Sequence, residues 1–391
     1  MKKIIYIIII HSFLFSIFIS AEKFKLNYSD LDKYQLKFLG DYRVYLNDKY
    51  QGLHIRNIKG ILNVSKSLDN LKIHGDVYHL KKTIRGKSTI GFELDEFESC
   101  SFLLTSDGQI KNSSNLAFPP LLGIPYFPDR DLSVGDIYEN YGKAVVTLYD
   151  TSDIELLEIK AASQYKGKKK YNDNLFDCFE ISYRYERILE GNNIKNARGQ
   201  HNLSLLFDNN NGKPYYMIDR FEEEFDLKNG DRIKHKGFYN YFYKLIIPMH
   251  KEELMVELKK DADKELLKDI EFKKKEQGIS ITINNLKFKP DSTELLETEK
   301  RKLNKLLSIL LKIEDRSFLI VGHTALAGTE KTRMKLSLER AKTIADFFIN
   351  NGIEGNRILF TGKGAKEPVA PNDTEENMQK NRRVEIIILE D

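Results

Sequence analysis

The amino-acid sequence predicts an α+β fold in three parts: a β-rich antiparallel domain over residues 22–247, a charged helical connector over 248–278, and a two-layer α/β sandwich over 279–391. The length of 391 residues exceeds what one ordinary hydrophobic core organises. Turn sequences recur between short apolar runs in the first part, whereas strand and helix patterns alternate in the last. These two patterns place two differently built domains on either side of the connector.

The first 21 residues predict a secretory signal peptide. Two lysines precede an apolar stretch from Ile4 to Ile19, and Ser20-Ala21 then offers the small residues of a cleavage site. The apolar stretch is short for a membrane span, although an uncleaved anchor helix is the alternative interpretation. Because no later run approaches about 18 apolar residues, no helix of the mature chain is expected to cross a membrane.

Charge balance and cysteine content narrow the function classes. The chain carries 62 lysines and arginines against 58 acidic residues, so it lacks the positive excess of a nucleic-acid-binding protein. Cys100 and Cys178 each lie in a strand-like run. In an exported protein they form one disulfide or remain as two buried free thiols, and the sequence leaves both alternatives open.

The region 22–247 shows the signature of antiparallel strands. Asp107-Gly108 and Asn229-Gly230 separate apolar runs as hairpin turns do, and an aromatic run from Phe238 to Tyr243 predicts a last strand. A sandwich, a barrel and a strongly curved sheet all fit this pattern. The following run of strong helix formers, Lys251 to Lys275, predicts the helical connector.

The last part alternates two periodicities. Ile279, Ile281 and Ile283 alternate with polar residues, which predicts a strand with one buried face. Apolar residues at helical spacing predict two helices, the first with Leu303, Leu306, Leu307 and Leu310 and the second with Met334, Leu338, Ala341, Ala345 and Phe348. Three further runs predict strands: Phe318–Gly322, Arg357–Gly362 and Val384–Leu389. The resulting βαβαββ order predicts two helices on one face of a mixed sheet.

This part contains several short motifs in a fixed order: Phe288-Lys-Pro-Asp-Ser292, Val321-Gly-His-Thr324, Leu336-Ser-Leu-Glu-Arg-Ala341, Gly362-Lys-Gly364 and Asn381-Arg-Arg-Val-Glu385. Their combination, which is more specific than any one of them, resembles the OmpA C-terminal domain family, which includes peptidoglycan-associated lipoproteins and flagellar stator proteins. The resemblance implies a domain that clamps the diamino acid of a peptidoglycan stem peptide. A stator role is not expected, because residues 4–19 lack an ionisable carboxylate.

The resemblance also implies a set of ligand-binding residues: Arg340, Asp291, Thr324, Asn381 and Arg382. Arg340 falls on the family arginine that grips the ligand carboxylate, a role suited to the guanidinium fork. The family aspartate that meets the ligand ammonium is replaced by Ala325, while Glu330 lies in the same loop. The structural alternative for Arg340 is an exposed helix arginine paired with an acidic residue. Arg382 and Arg383 could instead hold the carbonyl groups at a helix C-terminus or a neighbouring acid.

No catalytic or cofactor signature accompanies these motifs. His323 is expected to pack at a strand end, since no second residue stands at zinc-like spacing from it. We therefore expect a non-enzymatic envelope protein, periplasmic and associated with the outer membrane, that links a β-rich module to the cell wall. The alternative is a structural or protein-interaction module, with other envelope proteins as partners, that has lost peptidoglycan binding.

Overall fold

The computed structural model describes residues 21–391 except 68–69, 84–91, 115–117, 149–153, 190–192, 247–248, 268–269, 285 and 287–294. The predicted signal peptide lies outside the described residues apart from Ala21. The predicted site residue Asp291 lies outside them as well.

The N-terminal region is one continuous antiparallel sheet. Its strands are β1 (Lys33–Leu46), β2 (Lys49–Ser67), β3 (Asn70–Thr83), β4 (Phe92–Leu104), β5 (Ile110–Lys111), β6 (Leu121–Leu122), β7 (Ile137–Thr147), β8 (Ile154–Tyr171), β9 (Asn174–Ile188), β10 (Ile194–Asp208), β11 (Lys213–Leu227) and β12 (Arg232–Leu245). The strands follow the order β6 to β12, then β1 to β5, because β1 pairs with both β12 and β2. The region is therefore β-rich and antiparallel, as predicted.

One face of this sheet encloses a large apolar core. Strands from both ends of the sheet contribute side chains to it, so the sheet curves around its own interior. Phe24, Phe118 and Phe127, from segments outside the long strands, fill the centre. Cys100 lies in this core, whereas Cys178 packs in a separate small cluster with Phe176 and Leu206. Both thiols are free and buried, which decides between the two alternatives that the sequence left open.

The C-terminal region combines helices with a mixed sheet. Its elements are α1 (Lys251–Lys264), β13 (Ile270–Lys275), β14 (Gly278–Asn284), α2 (Glu297–Leu310), β15 (Phe318–Gly322), α3 (Glu330–Asn350), a short 3₁₀ helix (Gly355–Arg357), β16 (Ile358–Gly362), α4 (Glu375–Asn381) and β17 (Arg383–Leu389). The sheet order is β13–β14–β17–β15–β16, with β15 and β16 parallel. Strand β13 and helix α4 are additions to the predicted βαβαββ order.

The predicted helical run from Lys251 to Lys275 is wrong in its second half. The helix α1 ends at Lys264, and Leu266 adopts a left-handed conformation with φ of 56° that cannot continue it. Residues 270–275 instead form the edge strand β13, which pairs with β14. Leu258 and Ala262 of α1 pack in the same core as α2 and α3, so α1 joins the C-terminal region.

The two faces of the C-terminal sheet are covered by different parts of the chain. Phe318, Ile320 and Ile386 point to the face that α2 and α3 cover. On the opposite face, a patch of apolar residues packs against the β-rich region: Leu319, Val321, Leu359, Ile387 and Leu389 against Ile61, Tyr78, Leu80, Leu94 and Ile246. Strand β16 also pairs with β4 in parallel, which joins the two sheets. None of the helices in the described part of the chain is long and apolar enough to cross a membrane.

Candidate functional site

The predicted site residues lie around the ends of β15 and β16 and the helix α3. Gly322 and Gly362 end these two strands directly beneath α3. A Cβ atom at Gly322 would lie 2.1 Å from the carbonyl oxygen of Ser337, and one at Gly362 would lie 2.3 Å from the backbone nitrogen of Leu338. The two glycines therefore allow α3 to approach the strand ends closely, and this fixes the backbone that carries Arg340.

The loop after β15 is held by two hydrogen bonds to the loop between β16 and α4. The backbone nitrogen of Thr324 donates to the carbonyl oxygen of Gly364 at 2.8 Å. The backbone nitrogen of Leu326 donates to Oδ1 of Asn372 at 2.9 Å. These bonds tie the loop that contains Ala325 to the loop that follows β16, so the site has a defined backbone frame.

Asn381 is the centre of that frame. Its side chain, only 1% exposed, accepts from the backbone nitrogens of Val369 and Ala370 at 2.8 and 3.1 Å. It donates to the carbonyl oxygen of Ala370 at 2.8 Å and to Oδ1 of Asn372 at 3.0 Å. Asn381 therefore holds the loop in position from within the domain, instead of presenting a free amide to a ligand.

Arg340 and Arg382 come together at the edge of this frame. Arg340 is partly buried, and burial lowers the pKa of its guanidinium, with the nearby positive charge of Arg382 lowering it further. Arg382 also pairs with Glu375 on α4. A guanidinium group such as that of Arg340 can bind a carboxylate through two parallel hydrogen bonds.

The anionic half of the family clamp is absent at position 325. Ala325 is buried, and its methyl group offers no charge to an ammonium. Glu330 is exposed at the start of α3, where its carboxylate lies 3.2 Å from Nζ of Lys366. The hydroxyl of Thr324 is buried without a hydrogen-bond partner among the described residues. Of the predicted site residues, the structure brings Arg340 near Arg382, and Asn381 and Glu330 make other contacts.

His323 lies on the other face of the sheet, away from Arg340. Its imidazole is 2% exposed, and Nε2 is 3.5 Å from Oε1 of Glu385. Burial, followed by the charge of Arg383, lowers the pKa of His323 to about 3, so the ring is neutral near pH 7. Across the described ranges, no cluster of three or more histidines, cysteines or carboxylates has the geometry of a metal site.

Sequence reasoning missed Asn372 and the burial of Arg383 and Glu385, whereas the alternative that Arg383 holds a neighbouring acid is confirmed by its bonds to Glu385. Asn372 lies in a polar loop whose sequence is like that of many turns, so the local sequence does not predict its hydrogen bond to the backbone of Leu326. Arg383 and Glu385 lie on the same face of β17, and all residues of this strand are buried. Charged residues in a strand ordinarily predict an exposed face, so the sequence carries no sign of this burial.

Part of the C-terminal region is similar to known proteins. Residues 287–382 match the model described as the OmpA family. The chain is 34% identical over 109 residues to the peptidoglycan-binding protein ArfA of Mycobacterium tuberculosis H37Rv, covering 28% of this chain and 33% of that protein. It is 36% identical over 102 residues to outer membrane protein A of Bordetella avium, covering 26% of this chain and 49% of that protein.

A solved structure of an outer membrane protein from Borrelia burgdorferi B31 is also similar, with 33% identity over 31% of this chain and 96% of that one, at a TM-score of 0.26. The match spans between a third and a half of the two curated relatives. Residues 287–382 form an OmpA-family domain, which confirms the resemblance stated from the sequence.

Proposed function

We propose that this chain is an exported, non-enzymatic protein of the cell envelope that attaches its β-rich domain to peptidoglycan through the OmpA-family domain. The proposal includes removal of the signal peptide and a periplasmic location at the outer membrane. Peptidoglycan binding by ArfA, a relative of the C-terminal region, supports this ligand.

The observation that carries the proposal is the pairing of Arg340 with Arg382 on a loop frame fixed by Asn381. A carboxylate that approaches Arg340 gains charge-assisted hydrogen bonds from its guanidinium group, next to the positive charge of Arg382. Partial burial of Arg340 strengthens such a bond, because it reduces competition from water. The geometry thus favours the carboxylate of a stem-peptide diamino acid as the anchored group.

The packing of the two regions supports the linking role. The β-rich region covers the sheet face opposite to α2 and α3. Arg340 belongs to α3, and it is therefore carried on the side of the domain away from that contact. A peptidoglycan strand has access to Arg340 while the β-rich domain remains attached.

Co-sedimentation of the mature chain, residues 22–391, with insoluble peptidoglycan sacculi tests this role. Arg340→Ala is expected to weaken binding by about 30-fold or more, because loss of one partner of a desolvated charge pair costs about 2–5 kcal/mol. Arg301→Ala is the matched control, since Arg301 is an exposed arginine on α2. Strong wild-type binding that Arg340→Ala leaves unchanged would contradict the assignment of Arg340.

The second candidate function is a structural or protein-interaction module without peptidoglycan binding, which the buried Ala325 favours. Ala325→Asp places a carboxylate where the family has one, and we expect it to strengthen binding to peptidoglycan with a zwitterionic diamino acid by about tenfold or more. If the wild-type chain does not bind sacculi and Ala325→Asp does, the second function is correct. Equal binding by both chains would show that the ligand needs no anion at position 325.

A further inference from the structure

The sheet face that carries His323 is divided into an apolar half and a polar half. The β-rich region covers the apolar half. The polar half forms a cleft of about 600 Å³, with strands β13, β14 and β17 on one side and the segment 367–380 on the other. This volume lies within the range of small-molecule sites in proteins.

The floor of the cleft contains a buried arginine with unused donors. Arg383 is 4% exposed, and its Nε and Nη2 atoms both donate to Oε1 of Glu385, at 3.0 and 2.8 Å. Nη1 has no hydrogen-bond partner among the described residues. Since buried donors are paired in the great majority of cases, Nη1 is a position where an acceptor from outside the chain is expected.

The charges at the floor do not balance. Glu385 accepts from Arg383 and also from Nζ of Lys275 at 2.5 Å and Oγ of Ser280 at 3.3 Å. The neighbouring imidazole of His323 adds no charge near pH 7, because burial and Arg383 hold its pKa low. Two cations therefore surround one carboxylate, which leaves one net positive charge.

The charged groups at the rim are paired with one another. Glu376 lies 3.2 Å from Lys380, and Glu271 lies 3.3 Å from Lys273. Glu367 lies 3.4 Å from Lys363. The rim is thus neutral as a whole, and the surplus positive charge is at the floor beside Arg383.

We infer that this cleft binds a carboxylate-bearing ligand of about amino-acid to dipeptide size, whose carboxylate accepts from Nη1 of Arg383. A carboxylate at this position neutralises the net positive charge at the floor of the cleft and accepts a hydrogen bond from Nη1 of Arg383. The polar side chains of Ser280, Thr282 and Gln379 line the same space and offer hydrogen bonds to an amide. This site is separate from Arg340, which belongs to the helix-covered side, and it does not depend on the proposed function.

Titration of the mature chain with N-acetylglycine, followed by calorimetry, tests the inference. We expect saturable binding, with no comparable binding of N-acetylglycinamide, which has the same shape without the charge. Val369→Trp fills the cleft from its rim and is expected to weaken binding by about tenfold or more. Val256→Trp is the matched control, because Val256 and Val369 are both exposed, at 67% and 56%, and Val256 lies on α1 outside the cleft.

Arg383→Lys provides a second test where circular dichroism shows that the variant folds. Lysine keeps the charge and loses the guanidinium donors, so weaker binding is expected. Arg340→Ala should leave binding of N-acetylglycine unchanged, which separates this site from the proposed peptidoglycan clamp. Absence of saturable binding, equal binding of the amide, or full binding by Val369→Trp would each overturn the inference. Tighter binding of inorganic phosphate than of N-acetylglycine would assign the cleft to a free oxyanion and overturn the carboxylate ligand.

Discussion

The two regions of this molecule bury charged side chains in opposite arrangements. In the β-rich region, Nδ1 of His201 lies 2.7 Å from Oδ2 of Asp219, and Nε2 lies 3.5 Å from Oε1 of Glu223. The hydroxyl of Tyr185 also donates to Glu223, at 2.9 Å. These groups lie on the inner face of the curved sheet, where the ion pairs are enclosed by aromatic rings.

In the C-terminal domain the buried pair of Arg383 and Glu385 borders open space. Arg383 and Lys275 surround Glu385 beside a cleft, and Arg340 lies near Arg382 at the loop frame. A buried histidine held between two carboxylates, as His201 is, contributes to the specificity of the fold, and removal of one partner is costly. A surplus of one charge beside accessible space favours a ligand of the opposite charge. The comparison therefore separates a cluster of charges inside the curved sheet from a charged pair beside a cleft.

The largest expected effect is on the enclosed cluster. Glu223→Gln keeps the size of the side chain and removes the charge that faces His201, so the free energy of unfolding should fall by about 3–5 kcal/mol. Glu186→Gln on the exposed side of β9 is the matched control and should change it by less than about 0.5 kcal/mol. Urea unfolding of the mature chain measures both. Similar values for the two variants would show that the cluster contributes little to stability.

Removal of part of the C-terminal region has the next largest effect. We propose that residues 279–391 fold as a separate domain, yet β13 pairs with β14 and α1 contributes Leu258 and Ala262 to the core. A fragment of residues 249–391 should therefore unfold at a higher urea concentration than 279–391, by a free energy of about 2–5 kcal/mol. Equal stability would place the domain boundary where the sequence predicts it. Absence of cooperative unfolding in both fragments would contradict a separate domain.

The elements of the C-terminal region differ in whether the sequence predicts them. Helices α2 and α3 are predictable, because Leu303, Leu306 and Leu310, like Ala341 and Phe348, repeat at the spacing of one helix face. Strand β13 is not, since Ile270–Lys275 is as rich in lysine and glutamate as the helix before it. Its conformation depends on an available sheet edge, which is tertiary information.

In the candidate site, too, some residues are predictable from the sequence and others are not. Arg340 is predictable because a family motif surrounds it, and Arg382 because it lies in another motif of the same family. The role of Asn372 depends on a hydrogen bond to Leu326, 46 residues away in the chain, and that of Arg383 on a cleft formed by three strands. Local sequence patterns carry no signal for either contact. The pairing of β4 with β16, far apart in the chain, is unpredictable for the same reason.

The smallest expected effect is spectroscopic and compares the two buried histidines directly. Burial alone would lower the pKa of His201, but Asp219 and Glu223 outweigh it and raise the pKa to about 9. The pKa of His323 is lowered to about 3 by burial and Arg383. At pH 7.5, nuclear magnetic resonance of the ring nitrogens should therefore show a protonated His201 and a neutral His323.

The pH dependence of stability follows from the same two values. Because the folded-state pKa of His201 is above its ordinary value of 6.5, its contribution is complete below pH 6.5 and is lost as the pH rises to about 9. The folded-state pKa of His323 is below 6.5, so between pH 6.5 and about 3 the unfolded chain binds a proton on His323 that the folded chain does not. The free energy of unfolding therefore decreases as the pH falls through this range. Glu223→Gln should lower the pKa of His201 and leave that of His323 unchanged, since the two rings lie in different regions. A titration of His201 near 6.5 in the wild-type chain would show that its carboxylate partners do not hold it charged, and the contrast between the enclosed cluster and the open sites would fail.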